Sequence, residues 1–224
     1  MGIWKDDAVT QRVITTVFDL DGTLTDSQEG IMASFRHSLG TLGVTAADDQ
    51  IRPQIGPPLV EGFSTLGVSF GQLDLAVSTY RSFFSETGIY MNRLYEGVDV
   101  MLTSMSESGI RLALATSKLT EFAQRILEYF GIAQLFSEVA GSTADGRILT
   151  KQSIVANVLD RLDHPDPATT VLAGDRDQDM RAAVHHGLVP VGVTWGYGSV
   201  NELSGSGARH LVASPEELTS LVLG

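Results

Sequence analysis

Apolar and β-branched residues fall in short bursts along this chain, and each burst is broken off by a polar cluster. The first is Val13-Ile14-Thr15-Thr16-Val17-Phe18, which stops at Asp19-Leu20-Asp21-Gly22-Thr23. A run of that length, closed by a Gly-containing turn, predicts a buried strand. Ile110-Arg111-Leu112-Ala113-Leu114-Ala115 repeats the pattern and ends at Thr116-Ser117-Lys118. Thr170-Val171-Leu172-Ala173 ends at Gly174-Asp175-Arg176-Asp177, and Val189-Pro190-Val191-Gly192-Val193 ends at Thr194-Trp195-Gly196. Residues 136–140 predict one more short strand. Between the bursts the period changes. Phe122, Ala123, Ile126, Leu127 and Phe130 recur at helical spacing before Gly131. Ile154, Val155, Val158, Leu159 and Leu162 do the same, and residues 180–186 predict a short helix closed by Gly187. Strands alternating with helices predict a parallel sheet covered on both faces, a three-layer Rossmann-like α/β core. In such sheets ligands gather at the carboxyl ends of the strands, where the polar clusters stand.

After the first strand the alternation disappears. Ile31, Ser34, Phe35, Ser38 and Leu39 fit a helix, as do Leu73, Val77, Tyr80, Phe83 and Phe84, with Pro53, Pro57 and Pro58 between them. A stretch of about 70 residues without a strand is too long for a connection within a compact domain. The expected organisation is therefore an all-helical insertion over residues 26–95, flanked by core segments 1–25 and 96–224. Near the end, Ser204-Gly205-Ser206-Gly207 reads as a flexible turn before a last helix that begins near Ser214-Pro215.

Composition narrows the classes of partner. The 224 residues carry a formal net charge of -12, and no Lys/Arg run interrupts the acidic field. A nucleic-acid backbone is thereby disfavoured, and phosphate binding must be local. There are no cysteines, so disulfides and thiolate metal sites are excluded. The N-terminal residues hold no apolar signal core, and no apolar stretch is long enough to span a bilayer. Gly2 fails the myristoylation pattern because Asp6 stands where Ser or Thr is required. A soluble, cytoplasmic protein without a membrane partner is expected.

The sharpest chemical signal is Asp19-Leu20-Asp21-Gly22-Thr23-Leu24, two carboxylates two apart just past a buried strand. An Asp-Gly turn alone accounts for part of it, since Asp21 and Gly22 supply unusual backbone angles. A second acidic cluster, Asp175, Asp177 and Asp179, ends another strand. Neighbouring parallel strands would bring both clusters to one sheet edge. Two unit charges 4 Å apart repel by roughly 4 kcal/mol at an effective dielectric of 20, so the edge calls for a cation. A hard divalent ion such as Mg²⁺ suits all-oxygen ligands. Asp177 is expected in solvent, and His185-His186 at a helix end suits a charge–dipole role better than a metal site.

On these residues the chain resembles the haloacid dehalogenase superfamily. Asp19-Leu20-Asp21-Gly22-Thr23-Leu24-Thr25-Asp26-Ser27 looks like its first motif and Thr116 its second. Lys151, opening a helix, looks like the third, and Gly174-Asp175-Arg176-Asp177-Gln178-Asp179 the fourth. The insertion is similar to the helical cap of the phosphoglycolate phosphatase-like branch. Ile55-Gly56-Pro57-Pro58-Leu59, Ala115-Thr116-Ser117-Lys118 and Gly196-Tyr197-Gly198 resemble members known as phosphoglycolate phosphatases or 5′-nucleotidases. The resemblance implies a Mg²⁺-dependent phosphatase of small phosphorylated metabolites, with Asp19 as nucleophile and Asp21 as general acid and base. It implies metal ligation by Asp19, the Asp21 carbonyl, Asp175 and Asp179. Thr116, Ser117, Lys151 and Lys118 are the implied phosphate contacts, with Arg147 as a rival to Lys151. A phosphomutase resembling β-phosphoglucomutase, or a binding protein without turnover, are the alternatives. Oligomeric state is not readable.

Overall fold

A computed structural model describes residues 12–143 and 150–224. Arg147 and the N-terminal stretch read above for targeting signals lie outside the described residues.

Six parallel strands form the core sheet: β1 (Thr15–Phe18), β4 (Arg111–Leu119), β5 (Phe136–Ser142), β6 (Thr170–Gly174), β7 (Val189–Val193) and β8 (His210–Val212). Their order is β5-β4-β1-β6-β7-β8. β1 is thus flanked by β4, with Phe18 opposite Leu114, and by β6, with Phe18 opposite Ala173. That register brings the carboxyl ends of three strands together, because all three run the same way from matched starts.

The alternation of side chains divides the apolar residues between two layers. Phe18, Leu112, Leu114, Val171 and Val191 face helices α5 (Val98–Glu107), α6 (Thr120–Tyr129) and α10 (Pro215–Leu223). Val17, Ala113, Ala115 and Leu172 face α7 (Lys151–Arg161) and α8 (Asp177–His185), which contribute Ile154, Val155, Val158, Ala182 and Ala183. A three-layer sandwich results.

Between β1 and α5 the chain forms α1 (Gln28–Thr41), α2 (Asp48–Ile51), α3 (Leu59–Thr65) and α4 (Leu73–Glu86). The insert is helical, as its period predicts, but a short strand pair lies at its base. β2 (Thr25–Asp26) and β3 (Arg93–Leu94) run antiparallel, and Arg93 grips Asp26 at 2.7 Å. Two-residue strands fall below any periodicity signal. Inside the insert, Phe35 packs on Phe63 at 4.9 Å and on Tyr80 at 5.0 Å, and Phe84 reaches Phe122 of α6 at 5.4 Å.

Two local expectations change, and one element is new. β4 continues past its apolar run to Leu119, because Gly141 of β5 lets the chains approach: a Cβ there would stand 2.1 Å from the Lys118 carbonyl oxygen. Residues 204 and 205, expected in a flexible turn, close a helix α9 (Val200–Gly205), capped by Ser199 and anchored by buried Leu203. The new element is α5 over residues 98–107, which the sequence reading did not assign; its Val98, Met101, Leu102 and Met105 all lie buried at helical spacing.

Candidate active site

Asp19 is the first residue past β1, and its N–H still donates to Ala173 on β6 at 2.9 Å. The carboxylate is therefore held at the sheet edge by the strand ladder, 5% exposed. Asp175 follows β6 directly. Asp179 is the third residue of α8, where its Oδ2 accepts the Arg176 N–H at 3.0 Å and closes the helix start. Carboxylate oxygens of Asp19, Asp175 and Asp179 lie within 4.8 Å of one another, all buried.

Lys151 stands among them. It opens α7, with Thr150 capping the helix by accepting the Ser153 N–H at 3.2 Å. Its Nζ lies 2.6 Å from Asp19 Oδ1 and 2.7 Å from Asp179 Oδ1, and it donates to the Ala115 carbonyl at 2.7 Å. Burial alone would pull this amine's pKa down, but Asp179 and Asp19 together outweigh it and hold the group up. The carboxylates answer in the opposite sense. Burial, with the charges of Asp179 and Asp21 beside it, pushes Asp19 up to about 7 even against the Lys151 ammonium. Asp175 is pushed well above the usual carboxylate range by burial, then by Asp19 and Asp179. Three buried carboxylates against one ammonium leave an excess of negative charge when ionised. A divalent oxygen-seeking cation fits that donor set.

Asp21 sits apart from the triad. Its carboxylate accepts the Ser27 hydroxyl at 2.5 Å and pairs with Lys118 at 3.0 Å. The Lys118 ammonium also lies over the Phe84 ring, 4.1 Å from its centre, so a side chain of the insert covers a core lysine. Thr116 is buried within β4, three residues before its end, where its Oγ1 accepts the Lys118 N–H at 3.2 Å. Ser117 lines the adjacent cavity with Lys118 and Asp21. Asp177 turns away: its N–H donates to Glu202 and its carboxylate pairs with Arg181.

Several further residues complete the site. Tyr197 donates its N–H to Asp175 Oδ2 at 2.7 Å, while its hydroxyl accepts the Ser27 N–H at 3.0 Å and donates to Asp26 at 3.3 Å. The neighbouring Trp195 indole donates to the Thr23 carbonyl at 3.0 Å. Gly196 and Gly22 permit this closeness, since a Cβ at either would fall within 2.2 Å of an atom of the first or fourth motif. Arg176 spans outward: its Nε pairs with Glu202 at 2.9 Å and its Nη1 donates to the Ile55 carbonyl of the insert at 2.5 Å. In the sequence, Tyr197 enters only through the resemblance of Gly196-Tyr197-Gly198, and Trp195 only as the end of a strand. Arg176 gave no signal beyond its place between two aspartates.

The haloacid dehalogenase-like hydrolase family model matches residues 16–193, so the chain belongs to that family. It is 41% identical over 183 residues to the tyrosine-protein kinase PtkA of Mycobacterium tuberculosis, covering 81% of this chain and 62% of that one. The chain thus spans less than two thirds of that relative's length. A 5′-nucleotidase of Pseudomonas aeruginosa is 35% identical over 204 residues, with 90% and 92% covered. Among solved structures, a predicted phosphatase from Clostridium acetobutylicum superposes with a TM-score of 0.90 at 34% identity, covering 95% of this chain and 99% of that one. Among the described residues, no helix is long and apolar enough to cross a membrane.

Proposed function

We propose that this protein is a Mg²⁺-dependent phosphatase of small phosphate monoesters, 2-phosphoglycolate or nucleoside 5′-monophosphates, acting through an aspartyl-phosphate on Asp19. The supporting observation is the buried constellation of Asp19, Asp175, Asp179 and Lys151 at adjacent strand ends. In this reading Asp19, the Asp21 carbonyl, Asp175 and Asp179 hold the ion. With Mg²⁺ bound, the repulsion between an anionic nucleophile and an anionic phosphate is offset. An Asp19 carboxylate oxygen attacks phosphorus in line, and the bond from phosphorus to the ester oxygen breaks. Asp21 gives its proton to the leaving oxygen. It then takes a proton from the water that attacks the phosphoryl group and frees Asp19. Ser27 and Lys118 orient Asp21 for both transfers. Thr116, Ser117, Lys118 and Lys151 bind the phosphoryl oxygens. The helical insert, residues 26–95, acts as a cap that shields the site from water. The partner is a small phosphorylated metabolite, and the location is the cytoplasm.

Phosphate release from a panel of monoesters, with Mg²⁺ and with EDTA, tests the reading beside Asp19→Asn. Metal-dependent release that disappears in the variant is expected. Sugar-phosphate interconversion faster than release would instead identify a mutase, and binding without release a non-catalytic protein. The identity to a protein named as a tyrosine kinase favours a second acceptor, a tyrosine hydroxyl in place of water. That reading requires ATP-dependent labelling of tyrosine, and its absence sinks it.

A further inference from the structure

A cavity of about 330 Å³ opens beside Asp21 and Lys118, between α4 of the insert and the ends of β4 and α6. That size is at the small end of the ~300–1,000 Å³ typical of small-molecule sites. Its lining includes Phe35, Tyr80, Phe84 and Phe122. These rings brace one another: Tyr80 and Phe84 lie parallel within 3° at 6.0 Å, and Phe84 meets Phe122 at 5.4 Å. The wall is therefore preformed, and aromatic groups that enter it lose little in ordering it. The Tyr80 phenol is pushed up by burial and then by the charge of Asp21.

Two charged side chains also line this cavity, Arg81 and Glu61. The Arg81 Nε is buried and has no hydrogen-bond partner. A buried guanidinium nitrogen without an acceptor costs stability unless something else supplies one. Arg81 follows Tyr80 on α4, so one helix places an aromatic ring and a guanidinium-bearing side chain along the same space.

We propose that this cavity receives the leaving group of the substrate, and that the leaving group is a planar aromatic body carrying an acceptor for Arg81. This rests on the phosphatase reading and narrows it. A two-carbon hydroxy acid leaves most of the aromatic wall unused, so 2-phosphoglycolate is the poorer substrate. A nucleoside or a phenol with a polar tail supplies both ring and acceptor, and Glu61 offers an acceptor for its hydroxyl or amino group.

The test uses the full chain with Mg²⁺ and compares kcat/KM for AMP, ribose 5-phosphate, O-phospho-L-tyrosine and 2-phosphoglycolate. Ribose 5-phosphate keeps the sugar of AMP and lacks its ring. The better aromatic ester is expected to exceed both ring-free esters by roughly 10–100-fold, the discrimination that stacking and apolar contacts supply. Preference for AMP identifies a nucleoside, and preference for phosphotyrosine a phenol; either supports the proposal. Arg81→Gln should lower the aromatic-to-glycolate ratio of kcat/KM about tenfold or more, and Arg81→Lys less, with thermal melting confirming that both fold. Metal-dependent release that favours ribose 5-phosphate or 2-phosphoglycolate overturns the aromatic assignment and leaves the phosphatase standing. An unchanged ratio in folded Arg81→Gln overturns the role of Arg81. Absence of release from every ester overturns the phosphatase reading and the leaving-group assignment with it.

Discussion

Replacing Lys151 with Met isolates the charge that holds the carboxylate cluster together. The stem is nearly preserved, but the ammonium is lost, and its side chain is only 1% exposed between Asp19 and Asp179. Three carboxylates within 4.8 Å are left without an internal cation. Removing one partner from a buried ion pair costs about 3–5 kcal/mol. For a protein of this size each kcal/mol lowers Tm by roughly 2–4 °C, so a fall of about 6–20 °C is expected without metal. A proton provides an escape. Asp19 is pushed up to about 7 even with Lys151 present, chiefly by burial, and losing the ammonium pushes it higher. At a pH of about 6 the variant therefore neutralises Asp19 cheaply, and at about 8.5 it bears the larger penalty.

The assay is thermal melting of metal-free wild type and Lys151→Met at those two pH values, repeated with Mg²⁺. An ion at 100 times its Kd stabilises by about 2.7 kcal/mol. The variant's more negative site should gain more from Mg²⁺ than the wild type does. A metal-free Tm within about 2 °C of wild type at the higher pH would refute the assignment of Lys151 as the compensating charge, given the several-degree shift that its loss demands. An equal fall at both pH values would refute proton uptake by Asp19.

Three other outcomes follow from the same geometry. Asp19 and Asp175 have raised pKa values in the fold, so between about pH 4 and 7 the metal-free protein binds more protons folded than unfolded, and these groups' contribution to stability declines as pH rises. Mg²⁺ must displace such protons; calorimetry in two buffers of different ionisation enthalpy should show proton release near pH 7, and affinity rising with pH up to about 8. Arg176→Ala removes the bond to the Ile55 carbonyl and should speed amide exchange in residues 52–58 and raise KM, while unchanged exchange there would deny the link. Gly196→Ala puts a Cβ 2.2 Å from the Gly22 carbonyl and 2.4 Å from the Asp175 Cβ, and should depress Mg²⁺ affinity at least tenfold with the fold intact, as titration of metal-induced stabilisation would reveal.

What could be read from the chain divides along a physical line. Buried strands and amphipathic helices leave periodic traces, so the sheet, its carboxyl edge and the helical insert were legible. Asp19, Asp175, Asp179 and Lys151 meet because β1 lies between β4 and β6, and adjacency of three strand ends follows from the parallel order. Groups that act through isolated long-range bonds leave no such periodic trace. Tyr197 reaches Asp175, Ser27 and Asp26 from a loop, and in sequence it is one aromatic residue between two glycines. Arg176 joins the fourth motif to residue 55 across 121 positions, a link that no local spacing encodes. The two kinds of residue have separate tasks. Periodic elements bring the carboxylates together at a cost in charge repulsion, and isolated polar residues tie the loops and the insert around them. Because Arg176 lies between Asp175 and Asp179 in the chain, a shift of either carboxylate on ion binding should be felt by the guanidinium that bonds the Ile55 carbonyl. Amide exchange in residues 52–58, measured with and without Mg²⁺ in wild type and Arg176→Ala, tests this link: a Mg²⁺-dependent change in wild type that the variant loses is the expected outcome, and equal exchange with and without the ion would refute it.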